Sequence, residues 1–245
     1  NNYWVGNAPV LAPAKPNNLF SPDSKQELQV CRKTISSTSS SSLFISILDF
    51  YAVCSSIFAH TLRTQEHLKT YFGVSSFKGV GKPILTTGTF DGVHIGHRHI
   101  INRIKQLTDE IGGETVLLTF EPHPRMVLFP DDHDLKLLNT PAEKQEQLAK
   151  AGIEHLVIHP FTREFSKKSA MEYVRELLVD GIAPYRIVVG YDHHFGKNRE
   201  GDFSLLQEYG EMLGFGVEEI PAQMIDEVNV SSTKIRKALE KGDLA

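Results

Sequence analysis

The pattern of apolar and polar positions becomes regular from Lys69 onward. Short apolar runs alternate with longer segments in which apolar residues recur at helical spacing. The short runs predict strands over 83–89, 114–120, 154–160, 185–190 and 215–221. The longer segments predict helices over 97–112, 140–151, 169–180, 203–214 and 231–241. Because single helices separate successive strands, the expected fold is α/β, with a doubly wound parallel sheet covered on both faces.

Residues 1–68 differ from the remainder and predict an irregular N-terminal extension. They contain a Pro/Asn-rich start, a serine run at 36–42 and an apolar segment at 43–59. A membrane span over 43–59 is disfavoured because Asp49 lies within it, and a transit peptide is disfavoured because arginines are few. We therefore expect two parts, the extension at 1–68 and one domain at 69–245.

Composition narrows the function classes. The net charge of −4 gives no electrostatic argument for nucleic-acid binding, although a local basic pocket for a small anion stays open. The two cysteines, Cys31 and Cys54, both precede residue 69. The predicted domain can hold neither a disulfide framework nor a cysteine zinc site, which favours a cytoplasmic protein.

The first predicted strand ends in the segment TGTFDGVHIGH. Gly88 and Gly92 allow a tight turn, and the helix that follows directs its free N–H groups at the strand end. His94 and His97 are then placed to stabilise phosphate charge. Two other interpretations compete, a metal site and a pair of surface histidines. No HExxH or cysteine ligand accompanies these histidines, so we predict no protein metal site.

Two further strand ends carry polar and aromatic residues. In TFEPHPRMVLF, prolines on both sides of His123 predict a stiff extended loop, and the apolar residues after it predict a flap over a flat ligand. These apolar residues could instead plug the sheet edge. In VVGYDHHFGKNREGDF, glycines bracket Asp192 and Phe195, which favours nucleotide recognition over an ordinary turn.

The last predicted helix begins at SSTKIR. Any one of Ser231, Ser232 and Thr233 could simply cap the helix. Lys234 and Arg236 follow in the first turn, where positive charge opposes the helix dipole, so a bound anion would remove the conflict. We therefore expect a triphosphate site here.

GTFDGVHIGH, TFEPHP, VVGYDHHFG and VSSTKIR, in this order, resemble the FMN adenylyltransferase module of bacterial bifunctional riboflavin kinase/FAD synthetases. The resemblance covers about 69–245 and implies a Rossmann-like sheet of the HxGH nucleotidyltransferase type. It departs from the family pattern at His193, where many members have phenylalanine. It also implies that a riboflavin kinase domain is absent from this chain.

The resemblance implies transfer of AMP from ATP to FMN, giving FAD and pyrophosphate, with Mg²⁺. It assigns catalytic roles to His94, His97, Asp192 and Arg236. It assigns ATP binding to Gly88, Phe90, Asp91, Gly92, Gly190, Ser231, Ser232 and Thr233. It assigns flavin binding to Pro122, His123, Pro124, Phe129 and Phe195.

ATP and FMN are thus the expected partners, with no nucleic acid and no stable membrane association. Another HxGH nucleotidyltransferase, or a nucleotide- or flavin-binding module without turnover, remains an alternative.

The expected domain content is tested by supplying riboflavin and ATP. Because the residues after the adenylyltransferase motifs do not encode a kinase domain, we expect no FMN to form, measured by chromatography of the flavins. Clear kinase turnover would contradict this division of the chain.

Overall fold

A computed structural model of the protein describes residues 68–131, 135–221 and 230–243. The extension predicted at 1–68 therefore lies outside the described residues, apart from residue 68. In the described ranges no helix is both long and apolar enough to cross a membrane. The apolar segment at 43–59 is not among the described residues.

One parallel sheet of six strands organises the described residues. Its strands are β1 (Lys69–Phe72), β2 (Pro83–Thr87), β3 (Glu114–Glu121), β4 (His155–Pro160), β5 (Arg186–Gly190) and β6 (Gly216–Ile220). The spatial order is β1-β4-β3-β2-β5-β6, and every neighbouring pair is parallel. The chain winds from β2 through β3 to β4 on one side, and then from β5 to β6 on the other. The predicted doubly wound sheet is confirmed, and its switch point lies between β2 and β5.

Helices cover both faces of this sheet. They are α1 (Ile95–Ile111), α2 (Pro124–Leu128), α3 (Pro141–Ala151), α4 (three consecutive segments, Ala170–Glu172, the π-helical Tyr173–Val179 and Asp180–Ile182), α5 (Phe203–Leu213) and α6 (Ser232–Lys241). Short 3₁₀ turns lie at Val74–Ser76, Phe165–Lys167 and Lys197–Arg199.

The buried strands divide their side chains between two cores. On β3, Val116 and Leu118 belong to the core shared with α4 and α5, whereas Leu117 belongs to the core shared with α1 and α3. Successive side chains of a strand point to opposite faces, so one apolar run supplies both cores. Helix-covered faces on both sides explain why the strand sequences are apolar without alternation.

Local sequence signals set the helix ends. Helix α1 begins after His94, whose side chain accepts a hydrogen bond from the His97 amide, and it ends at Gly112 with φ of 71°. Helix α3 has the predicted capping box, in which Thr140 and Glu143 satisfy each other's backbone N–H groups. The helix starts therefore lie at the carboxyl edge of the sheet, and the loops that follow the helix ends lead into the amino ends of the next strands.

Two features were not predicted. Strand β1 has only four residues, two of them exposed, and it is recognisable only by its pairing with β4. The stiff extended loop expected around His123 is wrong, because residues 124–128 form the short helix α2. Pro124 occupies the first turn of this helix, where its missing N–H has no intrahelical partner to lose.

Leu117 tests the importance of the central strand, because its side chain is fully buried. Leu117→Ala should lower the free energy of unfolding by about 2–5 kcal/mol, through lost apolar burial and the cavity left behind. Urea denaturation measures this change. Met212→Ala is the control, since Met212 is 66% exposed, and it should change stability by less than about 0.5 kcal/mol. Equal effects of the two substitutions would contradict the assigned core.

Candidate functional site at the carboxyl edge of the sheet

The loop after β2 has a backbone that only particular residues allow. Gly92 has φ of 85°, and a Cβ there would lie 2.6 Å from a methyl carbon of Leu138. Phe90 and Val93 also have positive φ, at 46° and 36°, which is a strained conformation for residues with side chains. The loop thereby turns sharply between β2 and α1. The turn lies at the switch point and contains Gly88, Gly92 and His94, with His97 in the first turn of the helix that follows.

His94 and His97 form a stacked pair at the first turn of α1. Their ring centroids lie 3.7 Å apart with an interplanar angle of 18°, and the Phe90 ring lies 4.7 Å from that of His97. His94 Nδ1 accepts a hydrogen bond from the His97 amide at 3.4 Å. The Nδ1 atom of His97 is buried and has no hydrogen-bond partner among the described residues. A buried, unpartnered ring nitrogen is suited to a bound group.

Burial keeps this pair neutral. Desolvation, followed by the positive potentials of His94 and Lys144, lowers the pKa of His97 to about 3. Desolvation also lowers the pKa of His94, although the charges of Asp91 and Asp192 act in the opposite direction. At neutral pH both imidazoles are uncharged and can donate N–H groups without adding a fixed charge.

Asp91 connects the β2 loop with the start of α6. Its carboxylate, 6% exposed, forms an ion pair with Arg236 and accepts a hydrogen bond from the Leu138 amide at 3.0 Å. Its backbone carbonyl accepts a hydrogen bond from Ser232 Oγ at 2.9 Å. The carboxylate is therefore fully engaged by protein groups, and Asp91 shapes the site by holding its walls together.

The start of α6 thus lies against the β2 loop that precedes the histidine pair. Ser231 caps the helix, accepting a hydrogen bond from the Lys234 amide at 3.3 Å, and Thr233 is exposed. No acidic residue lies in the first turn. The Arg236 guanidinium is held from its other side by the Lys136 carbonyl, at 2.7 Å. Free N–H groups and fixed positive charge at one helix end favour an anion.

The end of β5 forms a third wall. Gly190 is buried beside the switch point, and Asp192 is exposed at the edge, where its charge acts on His94. The His193 ring is stacked on Phe195 at 5.8 Å, so the histidine packs here as an aromatic ring would. Burial lowers the pKa of His193 to about 4.

Phe195 does not line the cleft as predicted. It is 5% exposed, belongs to the core shared with α4 and α5, and stacks on Tyr173 at 5.4 Å. Gly201 forms a backbone bridge with it. Phe195 thus anchors the loop to the core. The polar residues around it in the sequence do not predict this burial. Phe195 is therefore not retained as a flavin contact.

The end of β3 supplies exposed apolar surface. His123, half-buried, caps α2 by accepting a hydrogen bond from the Arg125 amide at 3.2 Å. Pro122 is exposed, and Pro124 opens the helix. Met126, Leu128 and Phe129 are 43%, 46% and 59% exposed. An apolar surface beside a polar cleft favours a flat, partly apolar ligand.

A pocket between this apolar surface and the β2 loop contains residues that the sequence did not single out. It encloses about 360 Å³ of empty space, a figure that includes open solvent. It is lined by Thr89, Asp91, Phe120, Glu121, His123, Leu137, Asn139, Pro141 and Lys144. A lysine on a helix is ordinarily solvated, and only the packing of α3 against the strand ends brings Lys144 inward. Sequence alone carried no signal for this.

The described residues contain no group of three or more His, Cys, Asp or Glu side chains arranged to hold a metal ion. The carboxyl edge is instead a set of N–H donors and cations around a polar cleft. Together, the doubly wound sheet and this anion-binding edge define an α/β protein of the nucleotidyltransferase type.

Comparison with known proteins gives the family. Residues 79–234 match the model of the FAD synthetase family, and the chain belongs to this family. It is 35% identical over 161 residues to a bifunctional riboflavin kinase/FMN adenylyltransferase of Listeria monocytogenes, covering 66% of this chain and 51% of the relative. It is 33% identical over 159 residues to an FAD synthetase of the same organism, covering 65% of this chain and 64% of the relative.

The chain thus spans about half the length of the bifunctional relative. A crystal structure described as a macrolide-efflux protein from Streptococcus pneumoniae superimposes with a TM-score of 0.63 at 24% identity, over 72% of this chain and 59% of that one. This likeness supports the fold. The predicted fold class and family are both confirmed.

The neutral state of His97 is testable by pH titration. Its pKa is lowered in the folded protein, whereas an unfolded histidine titrates near about 6.5, so the unfolded state binds more protons between these values. The stability that the neutral state of His97 contributes to the folded protein is therefore complete above about pH 6.5 and is lost as the pH falls toward 3. NMR of the imidazole, assigned with His97→Gln, should show the neutral form down to about pH 5. A midpoint near that of a urea-unfolded sample would contradict this assignment.

Proposed function

We propose that the chain transfers AMP from ATP to FMN, giving FAD and pyrophosphate. The observation that carries this proposal is the Asp91 connection, which joins the loop before the histidine pair of α1 to the Ser232 and Arg236 end of α6. Two helix starts facing one cleft fit a triphosphate, and the apolar surface of α2 beside them fits a flavin ring.

ATP would lie along the walls formed after β2, after β5 and at α6. His94 and His97 would donate hydrogen bonds to the phosphates, and Ser231, Thr233 and Arg236 would hold the terminal ones. The backbone at Gly88, Phe90 and Gly92 would give the phosphates room to approach, and Gly190 would border the adenine. Asp91 and Ser232 would keep these walls in register.

FMN would enter on the β3 side. Pro122, His123, Pro124 and Phe129 would contact the flavin ring, together with the exposed Met126 of α2. This arrangement would bring the FMN phosphate to the histidine pair, since His123 and His97 both lie close enough to Lys144 to be affected by its charge.

The reaction then requires alignment rather than an enzyme nucleophile. An oxygen of the FMN phosphate forms a bond to the α-phosphorus of ATP. The bond between this phosphorus and the oxygen that bridges the α- and β-phosphates breaks. Pyrophosphate leaves with the electron pair. Neutral His94 and His97 would donate to oxygens on which charge increases, and Arg236 would stabilise the departing phosphates.

Mg²⁺ fits these residues if it binds mainly to phosphate oxygens. Such ions keep several waters and need only one or two carboxylates. Asp192 is exposed and acts electrostatically on His94, so it could provide one, whereas the Asp91 carboxylate is taken by Arg236. When bound, the ion would neutralise part of the triphosphate charge.

The riboflavin kinase activity named for the bifunctional relatives is not part of this proposal, and a cytoplasmic location stays a prediction from composition. The rival functions are transfer to a phosphate other than FMN and nucleotide or flavin binding without turnover. A panel of phosphate acceptors, read by pyrophosphate release, separates these possibilities. Preference for a non-flavin acceptor would contradict the proposal.

The activity test supplies FMN, ATP and Mg²⁺ and follows FAD by its weaker fluorescence. His97→Ala should lower kcat by about 10²–10³, the usual cost of removing one charge-stabilising donor. His99→Ala is the matched control, because that residue lies on the same helix but nearly opposite His97. Full activity of His97→Ala would contradict the mechanism, and no FAD from the wild type would contradict the function.

A further inference from the structure

The ammonium group of Lys144 is partly buried at the edge of the sheet. Its Nζ donates to the Thr89 carbonyl oxygen at 3.3 Å and to Thr119 Oγ1 at 3.4 Å, both neutral acceptors at long distance. Among the described residues no carboxylate forms an ion pair with it. Buried charges are usually paired, because desolvation is costly without a counter-charge. The arrangement therefore leaves a cation available for an anion.

The position of Lys144 lies between the two halves of the site. It lines the same pocket as His123 of the flavin side, and its charge lowers the pKa of both His97 and His123. Its hydrogen-bond partners lie on β3 and just after β2, away from the β5 side. The triphosphate already has α1 and α6, so the lysine is placed for the second substrate.

A second unsatisfied group lies in the same pocket. Asn139 Oδ1 is buried and has no hydrogen-bond partner within the ranges that the structure describes. An acceptor of this kind suits a hydroxyl group, whereas an ammonium suits a phosphate. Together the two side chains match a polyol phosphate, which is the chemistry of the ribityl phosphate chain of FMN.

We propose that Lys144 binds the phosphate of FMN and holds it for attack on ATP. This inference rests on the proposed function and adds a substrate-contacting residue to it. Glu121 and Asp91 also face the lysine, but Asp91 is neutralised by Arg236 and Glu121 is exposed. The phosphate dianion would supply the missing counter-charge in a partly desolvated pocket.

Binding measurements on Lys144→Met test the proposal, with flavin fluorescence for FMN and riboflavin and calorimetry for ATP. Loss of a charge-assisted interaction should weaken FMN binding about 10- to 100-fold. Riboflavin lacks the phosphate, so its affinity should stay within about twofold. Lys144→Arg should recover most of the FMN affinity. Lys150→Met is the control, since Lys150 lies on the same helix and its side chain is 72% exposed.

The pH dependence adds an independent reading. Burial lowers the pKa of Lys144. As the pH rises, the FMN affinity of the wild type should therefore begin to fall at a pH below about 10.4, the ordinary pKa of lysine. Lys144→Met should lack this fall. Lys144→Gln provides the comparison if the methionine variant is unstable, and thermal melting checks that each variant is folded.

Three results would overturn the inference. Unchanged FMN affinity would exclude a phosphate contact, equal loss of FMN and riboflavin would indicate a structural role, and selective loss of ATP would assign the lysine to the triphosphate. If the wild type forms FAD while Lys144→Met binds FMN normally, only this inference fails. If the wild type forms no FAD, the proposed function fails instead.

Discussion

The buried ion pair between Asp91 and Arg236 is the interaction on which the site depends. It joins a strained loop after β2 to a helix that begins far along the chain. The Asp91 carboxylate also accepts a hydrogen bond from the Leu138 amide, and the Asp91 backbone carbonyl accepts one from Ser232. Removing one partner of such a pair leaves an uncompensated charge, at a cost of about 3–5 kcal/mol. The loop after β2 and the start of α6 therefore share one anchor, and the position of each depends on the other.

Around this ion pair, some charged groups of the site are engaged by protein partners and others are available to a ligand. Arg236 is held by Asp91 and the Lys136 carbonyl, while the stacked imidazoles of His94 and His97 stay neutral because they are partly desolvated. Lys144 has no ion-pair partner in the described part of the chain. Without a ligand, such a site avoids strong repulsion between neighbouring positive side chains. It still provides hydrogen-bond donors where phosphate charge would develop.

Part of this site was predictable from local chemistry. Glycines, the paired histidines and the SSTKIR helix start are short-range signals, because turns, caps and helix ends are decided within a few residues. The positions of Phe195 and Lys144 could not be predicted in this way. An aromatic residue in a polar loop and a lysine on a helix each have an ordinary alternative, and the choice depends on residues distant in sequence: Tyr173 for the first, Thr89 and Thr119 for the second.

The sequence by itself determined the alternation of strands and helices, and hence the parallel doubly wound sheet. Apolar periodicity and caps act locally, and right-handed crossovers leave few ways to connect such elements. The sequence also determined the family, through four motifs at the strand ends. Only the tertiary structure decided that β1 joins the sheet edge, that 124–128 is helical, and which polar side chains meet. Those outcomes come from pairing and burial between distant segments, and no local pattern encodes them.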